Sequence, residues 1–423
     1  MPLQITAAPI DPALLDLPWH IPLAEWPPER LVALPRGLSR HVVRFVRVGQ
    51  RVFAVKEASP QLAETEYRLL RELERRGVPT VSAVGVIRGR TTRDGAPIDP
   101  VLMTRHLSFS LPYRALFSGQ LLPETTNRLL DALVVLLVRL HLAGFYWGDC
   151  SLSNTLFRRD AGAFAAYLVD AETGELHPQL SQGQRYYDLD TAHGNVFGEL
   201  LDLEAGGLLD EATDPYDTSA EVLRRYEGLW AELTGEEQFA AGERYRVDAR
   251  MRRLNSLGFD VAELQLGTDA EGSRLVLQPK VVDAGHHHRR LRRLTGLDVQ
   301  ENQARRLLND LDHYRATLAG RGQQHSEVMA AHHWLTEVFE PTVSAIPAHL
   351  TSKLEPAEFF HEVLEHRWFM SEAAAKDAGL SGALEDYLDT VLAHKPDEEA
   401  VLGIPASALA APSGGADDVV EQE

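Results

Sequence analysis

The chain has 423 residues, 44% of them hydrophobic, with 62 acidic against 42 basic side chains and a net charge of −20. That length holds two or three domains with cores of their own, and the composition is that of a folded protein. The acidic excess argues against general binding to nucleic acid or to an anionic membrane surface.

Residues 1–30 are rich in proline, with Trp19 and Trp26 between the prolines. Proline removes donors and blocks a long helix, so an extended arm is expected, docked by its aromatic anchors. Asp11 and Asp16, with no basic stretch ahead of an apolar one, do not fit a signal peptide. Short strands are expected over Leu31–Leu34, Val42–Val48 and Val52–Ala58, the last two joined by a turn at Gly49-Gln50. Lys56 ends the third apolar run. A helical pattern follows over Glu64–Leu73 and is stopped by Gly77-Val78-Pro79. Two more strands, Ser82–Ile87 and Val101–Leu107, flank a turn at Asp94-Gly95. A helix over about Thr125–Ala143 is apolar almost all round and therefore buried. Asp131, Arg139 and His141 interrupt it, so no membrane span is expected. The one cysteine, Cys150, permits no intrachain disulfide and fits a cytoplasmic location.

The densest signal comes next. Trp147-Gly148-Asp149-Cys150-Ser151-Leu152-Ser153-Asn154 is followed by Leu168-Val169-Asp170. Phosphoryl transfer from Mg·ATP uses one carboxylate to orient the attacking hydroxyl, and an amide oxygen and a second carboxylate to hold metal. Asp149, Asn154 and Asp170 supply those types in that order. An Asp-x4-Asn match alone arises by chance; the preceding elements, in kinase order, give it weight.

The set resembles the catalytic core of the protein-kinase-like superfamily. It is similar to the aminoglycoside phosphotransferase and lipopolysaccharide kinase branch, where Gly stands in place of the Arg before the catalytic Asp. The resemblance implies that Asp149 orients or deprotonates an acceptor hydroxyl and that Asn154 and Asp170 bind Mg2+. It implies that Lys56, paired with Glu66, holds the phosphates of ATP. The separation of ten residues is short, so Glu64 is a rival partner. No G-x-G-x-x-G is present; Gly37 and Ser39, between the first two strands, are the candidates to cover the phosphates. The hinge near Met103 to His106 offers backbone to adenine. Asp170-Ala171-Glu172 replaces Asp-Phe-Gly, leaving Glu172 as either an extra metal-shell carboxylate or a surface acid. Tyr187-Asp188-Leu189 resembles the helix start whose Asp braces the catalytic loop. No Ala-Pro-Glu follows.

From about Tyr245 the pattern is mostly helical, with strands at Val261–Leu266 and Arg274–Val282. The basic stretch His286 to Leu297 reads as a phosphate or nucleic-acid contact or as a solvated helix face, the second favoured. His361 and His366 are five apart and diverge around a helix, which excludes a zincin site. Pro405–Glu423 is small and acidic and is expected to be disordered.

Leu15 to Trp19, Gly37 to His41, Ser110 to Arg114, Leu294 to Leu297, and His366-Arg367-Trp368 with Ser371-Glu372 together resemble the bacterial family known as domain of unknown function 4032. That resemblance implies a lipopolysaccharide-kinase-like module joined to a C-terminal domain of no known function. The expected class is α+β: a docking arm (1–30), a two-lobed protein-kinase-like fold (31–107 and 108–242), a mostly helical domain (243–404) and a tail (405–423). The expected function is an ATP- and Mg2+-dependent phosphotransferase acting on a small-molecule hydroxyl, with a protein acceptor left open. Lipopolysaccharide itself is disfavoured, since nothing anchors the chain to a membrane. The rivals are a catalytically inactive kinase-like nucleotide-binding scaffold or regulator, a nucleotidyl transferase on the same fold, and a weaker nucleic-acid-associated regulator using Arg289 to Arg293.

Overall fold

The computed structural model describes residues 2–398, apart from 9–10, 33, 35–39, 50, 118–122, 241–242, 244 and 269–273. The first lobe is a five-stranded antiparallel sheet. Its strands are β1 (Gln4–Ala7), β2 (Val42–Val48), β3 (Arg51–Glu57), β4 (Ala83–Arg88) and β5 (Val101–Arg105), in the order β1-β4-β5-β3-β2. Leu31 makes only an isolated bridge to Val46, so no strand is seen over the described part of Leu31–Leu34.

The proline-rich arm lies on the outer face of this sheet. Its prolines favour short 3-10 turns, Pro12–Asp16, Leu23–Glu25 and Pro28–Arg30. These turn Leu14, Trp19, Leu23 and Trp26 onto Val46, Val55, Ile87 and Met103. Gly85 is needed where the arm adds β1 to the sheet edge: a Cβ there would sit 2.4 Å from the Thr6 carbonyl oxygen. Buried Arg90 ties the arm down, donating to the carbonyls of Trp19 (3.0 Å) and Ile21 (2.6 Å) and to the Glu57 carboxylate (2.5 Å).

The inner face carries α1 (Pro60–Arg75). It starts ahead of the expected Glu64 because Pro60 suits a first helical turn. Ala63, Glu66, Leu69, Leu70 and Leu73 are its buried residues.

The second lobe follows in chain order as β6 (Leu111–Pro112), α2 (Tyr113–Phe117), α3 (Pro123–Leu142), β7 (Phe145–Tyr146), β8 (Thr155–Asp160), β9 (Ala163–Leu168), β10 (Glu175–Leu176), α4 (Gln182–Ala205) and α5 (Pro215–Thr234). Helix α3 is its axis. One apolar core runs from Leu69 and Leu70 of α1 through Leu133 and Leu137 of α3 to Leu200 and Val222. Both lobes thus share a core along the inner face of the first sheet, where β3 delivers Lys56.

The remaining chain forms β11 (Glu237–Ala240), α6 (Tyr245–Ser256), β12 (Phe259–Thr268) and β13 (Arg274–Ala284), a sheet ordered β11-β13-β12. Because β11 pairs with β13, this region engages the chain before residue 243. Then come α7 (His286–Thr295), α8 (Glu301–Gly320), α9 (Glu327–Trp334), α10 (Glu340–Ser344), α11 (Pro356–Ala374) and α12 (Leu380–Thr390). The C-terminal region is mostly helical, packed around Leu307, Leu311, Trp334 and Phe360.

Part of the basic stretch on α7 pairs with this region's own acids, while Arg292 and Arg293 form an exposed helix face. Arg289 pairs with Asp260, and Arg290 with Glu327 at 2.8 Å. His366 bonds Asp386 at 2.6 Å, while His361 is buried on the same helix. Residues 405–423 lie outside the described part of the chain. No helix among the described residues is long and apolar enough to cross a membrane.

Arg90→Met keeps the aliphatic bulk but leaves Glu57 and the carbonyls of Trp19, Ile21 and Asp99 without its donors. Removing one partner of a buried ion pair costs about 3–5 kcal/mol, and denaturant unfolding of the full chain should show a loss of that size. A loss near zero would mean that the arm is not held through Arg90.

Candidate active site

The loop between α3 and β8 is irregular and largely buried, so its backbone amides need acceptors. Helix α4 supplies them. Asp188 accepts from the Trp147 and Gly148 amides, each at 2.8 Å. Glu199 accepts from those of Leu152 (2.7 Å) and Ser153 (2.9 Å). Burial pushes the Glu199 carboxyl above the ordinary carboxylate range. Asp188 also meets His141 Nε2 at 3.1 Å, and His141 Nδ1 lies 2.6 Å from the Tyr226 hydroxyl. Burial depresses the His141 pKa, so a neutral ring that donates to Asp188 and accepts from Tyr226 satisfies all three groups.

Gly148 has φ +75°, and a Cβ there would lie 3.0 Å from the Tyr146 ring and 3.2 Å from the Thr173 carbonyl oxygen. Glycine at this place, where many kinases carry Arg, is therefore a conformational requirement of this loop.

These braces present Asp149. Its Oδ2 accepts from Asn154 Nδ2 and its Oδ1 from Asn195 Nδ2, both at 3.1 Å. Asn195 also donates to the Cys150 carbonyl at 3.1 Å, which locks the amide. Both carboxylate oxygens are thus oriented by amides, while the side chain remains 34% exposed. Asn154 spends its Nδ2 on Asp149, which leaves its Oδ1 free of those bonds. Cys150 is buried, and burial pushes its thiol up, so it is not a nucleophile at neutral pH.

The second half of the site surrounds Lys56. Its Nζ lies 3.0 Å from Glu66, 2.7 Å from Asp170 and 2.8 Å from Glu172. Glu64 is not the partner: it points outward and pairs with Arg88. Glu172 is not a surface acid, since its side chain is 8% exposed and also meets His41 at 2.9 Å. Burial alone would depress the Lys56 ammonium, but the charges of Glu66 and Asp170 outweigh it and hold the pKa above its ordinary value. Burial pushes Glu66 up to about 8, with Asp170 adding to the rise and Lys56 opposing it.

Three carboxylates thus share one ammonium, and oxygens of Glu66, Asp170 and Glu172 lie within 4.8 Å of one another. That excess of negative, all-oxygen donors suits a hard divalent cation such as Mg2+. Arg40 joins the two halves, 3.7 Å from Asp149 and 3.6 Å from Glu172. The Val169 amide donates to the Asn154 carbonyl at 3.0 Å, closing the base of the β8–β9 hairpin between Asn154 and Asp170.

Lys56, Glu66, Asp149, Asn154 and Asp170 therefore come together. Gly37 and Ser39 lie outside the described residues. Met103 does not face the cleft: it sits inside β5, paired with Val55 on one side and Gly85 on the other, with its side chain in the arm-side core. Strand alternation instead puts Leu102 and Thr104, opposite Lys56 and Ala54, on the lysine's face. Residues not anticipated from sequence are Asn195, Glu199, Ala54, Thr104, Arg40 and His41. For Asn195 and Glu199 a signal existed: they follow Asp188 by seven and eleven residues on α4, so all three share one helix face.

Parts of the chain are similar to known families. Residues 51–193 match the lipopolysaccharide kinase (Kdo/WaaP) family. Residues 228–392 match a domain of unknown function, DUF4032. Among solved structures, WaaP in complex with acyl carrier protein is similar at 19% identity, over 54% of this chain and 99% of that one, with a TM-score of 0.34. No curated protein matches. The fold is a two-lobed α+β arrangement followed by a mostly helical region, and residues 51–193 are similar in sequence to the lipopolysaccharide kinase family.

Glu66 gives a pH prediction. Folded, it keeps a proton between about 4.5 and about 8, where the unfolded chain has lost it. Its contribution to stability therefore falls as pH rises through that window. Glu66→Gln should flatten the fall in unfolding free energy of the nucleotide-free protein between pH 6 and pH 8. An identical pH profile in the variant would show that Glu66 does not hold the proton.

Proposed function

We propose that the chain is an ATP- and Mg2+-dependent phosphotransferase that phosphorylates a hydroxyl of a small molecule. The observation that carries the proposal is the meeting of Lys56 with Asp170, 114 residues apart, across from an amide-oriented Asp149. Lys56, kept cationic by its acids and aligned by Glu66, binds the nucleotide phosphates. Asp170 and Asn154 Oδ1 are the metal ligands, with Glu172 as a further carboxylate in reach. Mg2+ held there would neutralise charge on the nucleotide phosphates. Asp149 orients the acceptor hydroxyl and takes its proton. Ala54 and Thr104, partly exposed on the face of β3 and β5 that carries Lys56, line the cleft where the base of ATP lies.

The short span between Asp170 and α4 favours a small acceptor. Residues 175–176 are tied to β7 as β10, and the His177 amide bonds the Gly144 carbonyl at 2.8 Å, so no long docking segment is present there.

Mg·ATP should raise the melting temperature of the wild type, and Asp170→Ala should abolish the gain. Asp149→Asn should keep the gain and lower ATP turnover about 10²- to 10⁴-fold. Equal stabilisation of Asp170→Ala would misplace the site, and undiminished turnover in Asp149→Asn would remove that residue from the chemistry. Product mass separates phosphoryl from nucleotidyl transfer, and no product with any hydroxyl acceptor would leave a nucleotide-binding scaffold.

Control by phosphorylation of this segment is not expected. Its two hydroxyl residues, Thr173 and Ser181, are engaged: Thr173 donates to the Trp147 carbonyl at 2.9 Å, and Ser181 caps α4. Phosphatase-treated protein should therefore turn over ATP at the untreated rate, and loss of activity after treatment would contradict this.

A further inference from the structure

The hairpin of β8 and β9 leaves the catalytic loop just after Asn154 and returns just before Asp170. Its tip lies about 17 Å away, at about 3.3 Å per strand residue, and there the C-terminal helices enclose it. Asp160, 2% exposed, ends β8. Its Oδ1 accepts from the Gln303 amide (2.7 Å), and its Oδ2 accepts from the Asn302 amide (3.1 Å) and from Asn302 Nδ2 (3.0 Å).

A carboxylate of the kinase-like lobe thus caps the N-terminus of α8, satisfying amides that the helix cannot satisfy itself and facing the favourable end of its dipole. From the other side, Glu358 of α11 accepts from the Ala161 amide in the hairpin turn (2.8 Å) and from Gln303 Nε2 (3.0 Å). Gln303 Nε2 also donates to the Arg159 carbonyl at 3.1 Å. Two ion pairs flank the tip, Arg158–Glu355 and Arg159–Glu398, each 2.6 Å.

Few of these groups find partners within their own lobe. The turn amide needs Glu358, the α8 amides need Asp160, and Gln303 spans both. A buried amide left without its acceptor costs free energy comparable to a lost hydrogen bond, so hairpin and helices hold each other in one register. The hairpin is also the covalent link between Asn154 and Asp170, with its base closed by the Val169–Asn154 bond.

We infer that the C-terminal helices clamp this hairpin, and that Asp160 is the positioning residue through which they fix Asn154 relative to Asp170. The roles of those two residues rest on the phosphotransferase proposal; the clamp itself does not. It gives the C-terminal region a task in the site without requiring a catalytic set of its own.

The test uses full-length protein carrying Asp160→Asn, which turns an amide N–H2 toward groups that are all donors. Hydrogen exchange should accelerate about tenfold at the Val169 amide, which closes the hairpin base on Asn154, and stay unchanged at Trp147 and Gly148, which Asp188 holds. The Mg2+ concentration that half-saturates ATP-dependent thermal stabilisation should rise about tenfold, while nucleotide binding without metal is unaltered. Unchanged exchange at Val169, or faster exchange with an unchanged Mg2+ midpoint, overturns the inference. If Asp160→Asn does not fold, Glu358→Ala, which removes the acceptor of the Ala161 amide and of Gln303 Nε2, is read in the same way. If the wild type gives no Mg2+-dependent response to ATP, the phosphotransferase proposal fails, and the exchange data alone decide the clamp.

Discussion

Irregular backbone inside a protein must find acceptors for its amides, and in this chain buried carboxylates provide them. Asp188 holds the Trp147 and Gly148 amides, and Glu199 those of Leu152 and Ser153. Asp160 holds the start of α8, and Glu301 accepts from the His287 and His288 amides at the start of α7. Each unsatisfied buried donor costs about 1–3 kcal/mol, so the loop between α3 and β8 keeps its shape only while α4 stays beneath it. The loop, the β8–β9 hairpin and the C-terminal helices are joined by the same kind of bond, repeated at successive places.

The same acids that order the backbone leave the site electrically unbalanced. Lys56 meets three carboxylates, and Glu66 answers by holding its proton up to about pH 8. Such a cage is costly without a cation and is relieved by one. The neighbouring Asp149 is kept apart from this crowding by its two amide donors and retains 34% exposure, so an acceptor has access to it. On the phosphotransferase proposal, metal binding and acid–base chemistry would fall to different carboxylates, Asp170 and Asp149, on either side of the β8–β9 hairpin.

Much of the site was legible where local sequence is decisive. Asp149, Asn154 and Asp170 bracket a loop and a strand pair, and Lys56 ends an apolar strand. The choice between Glu64 and Glu66 was not legible until the start of the helix was known. With Pro60 at the first position, 63, 66, 70 and 73 face inward and 64 faces out. Met103 is a matter of alternation: Leu102 packs into the core shared by the two lobes, and Met103 packs under the arm. Asn195 and Glu199 were hidden because polar residues on a helix ordinarily face solvent; their spacing from Asp188 was the available clue. The strands β1 and β11 depend on partners far along the chain, Gly85 and its neighbours for one and β13 for the other, and short runs such as Gln4–Ala7 carry no local signal for such pairing.

The central claim is that the cage of Lys56, Asp170 and Glu172 binds a metal–nucleotide pair. Electron paramagnetic resonance of Mn2+ added to the full-length protein with a non-hydrolysable ATP analogue tests it directly. The account predicts a protein-bound Mn2+ signal that requires the nucleotide and disappears in Asp170→Asn. A spectrum of free or merely ATP-bound Mn2+ in the presence of wild-type protein, or a bound signal that survives Asp170→Asn, would contradict it.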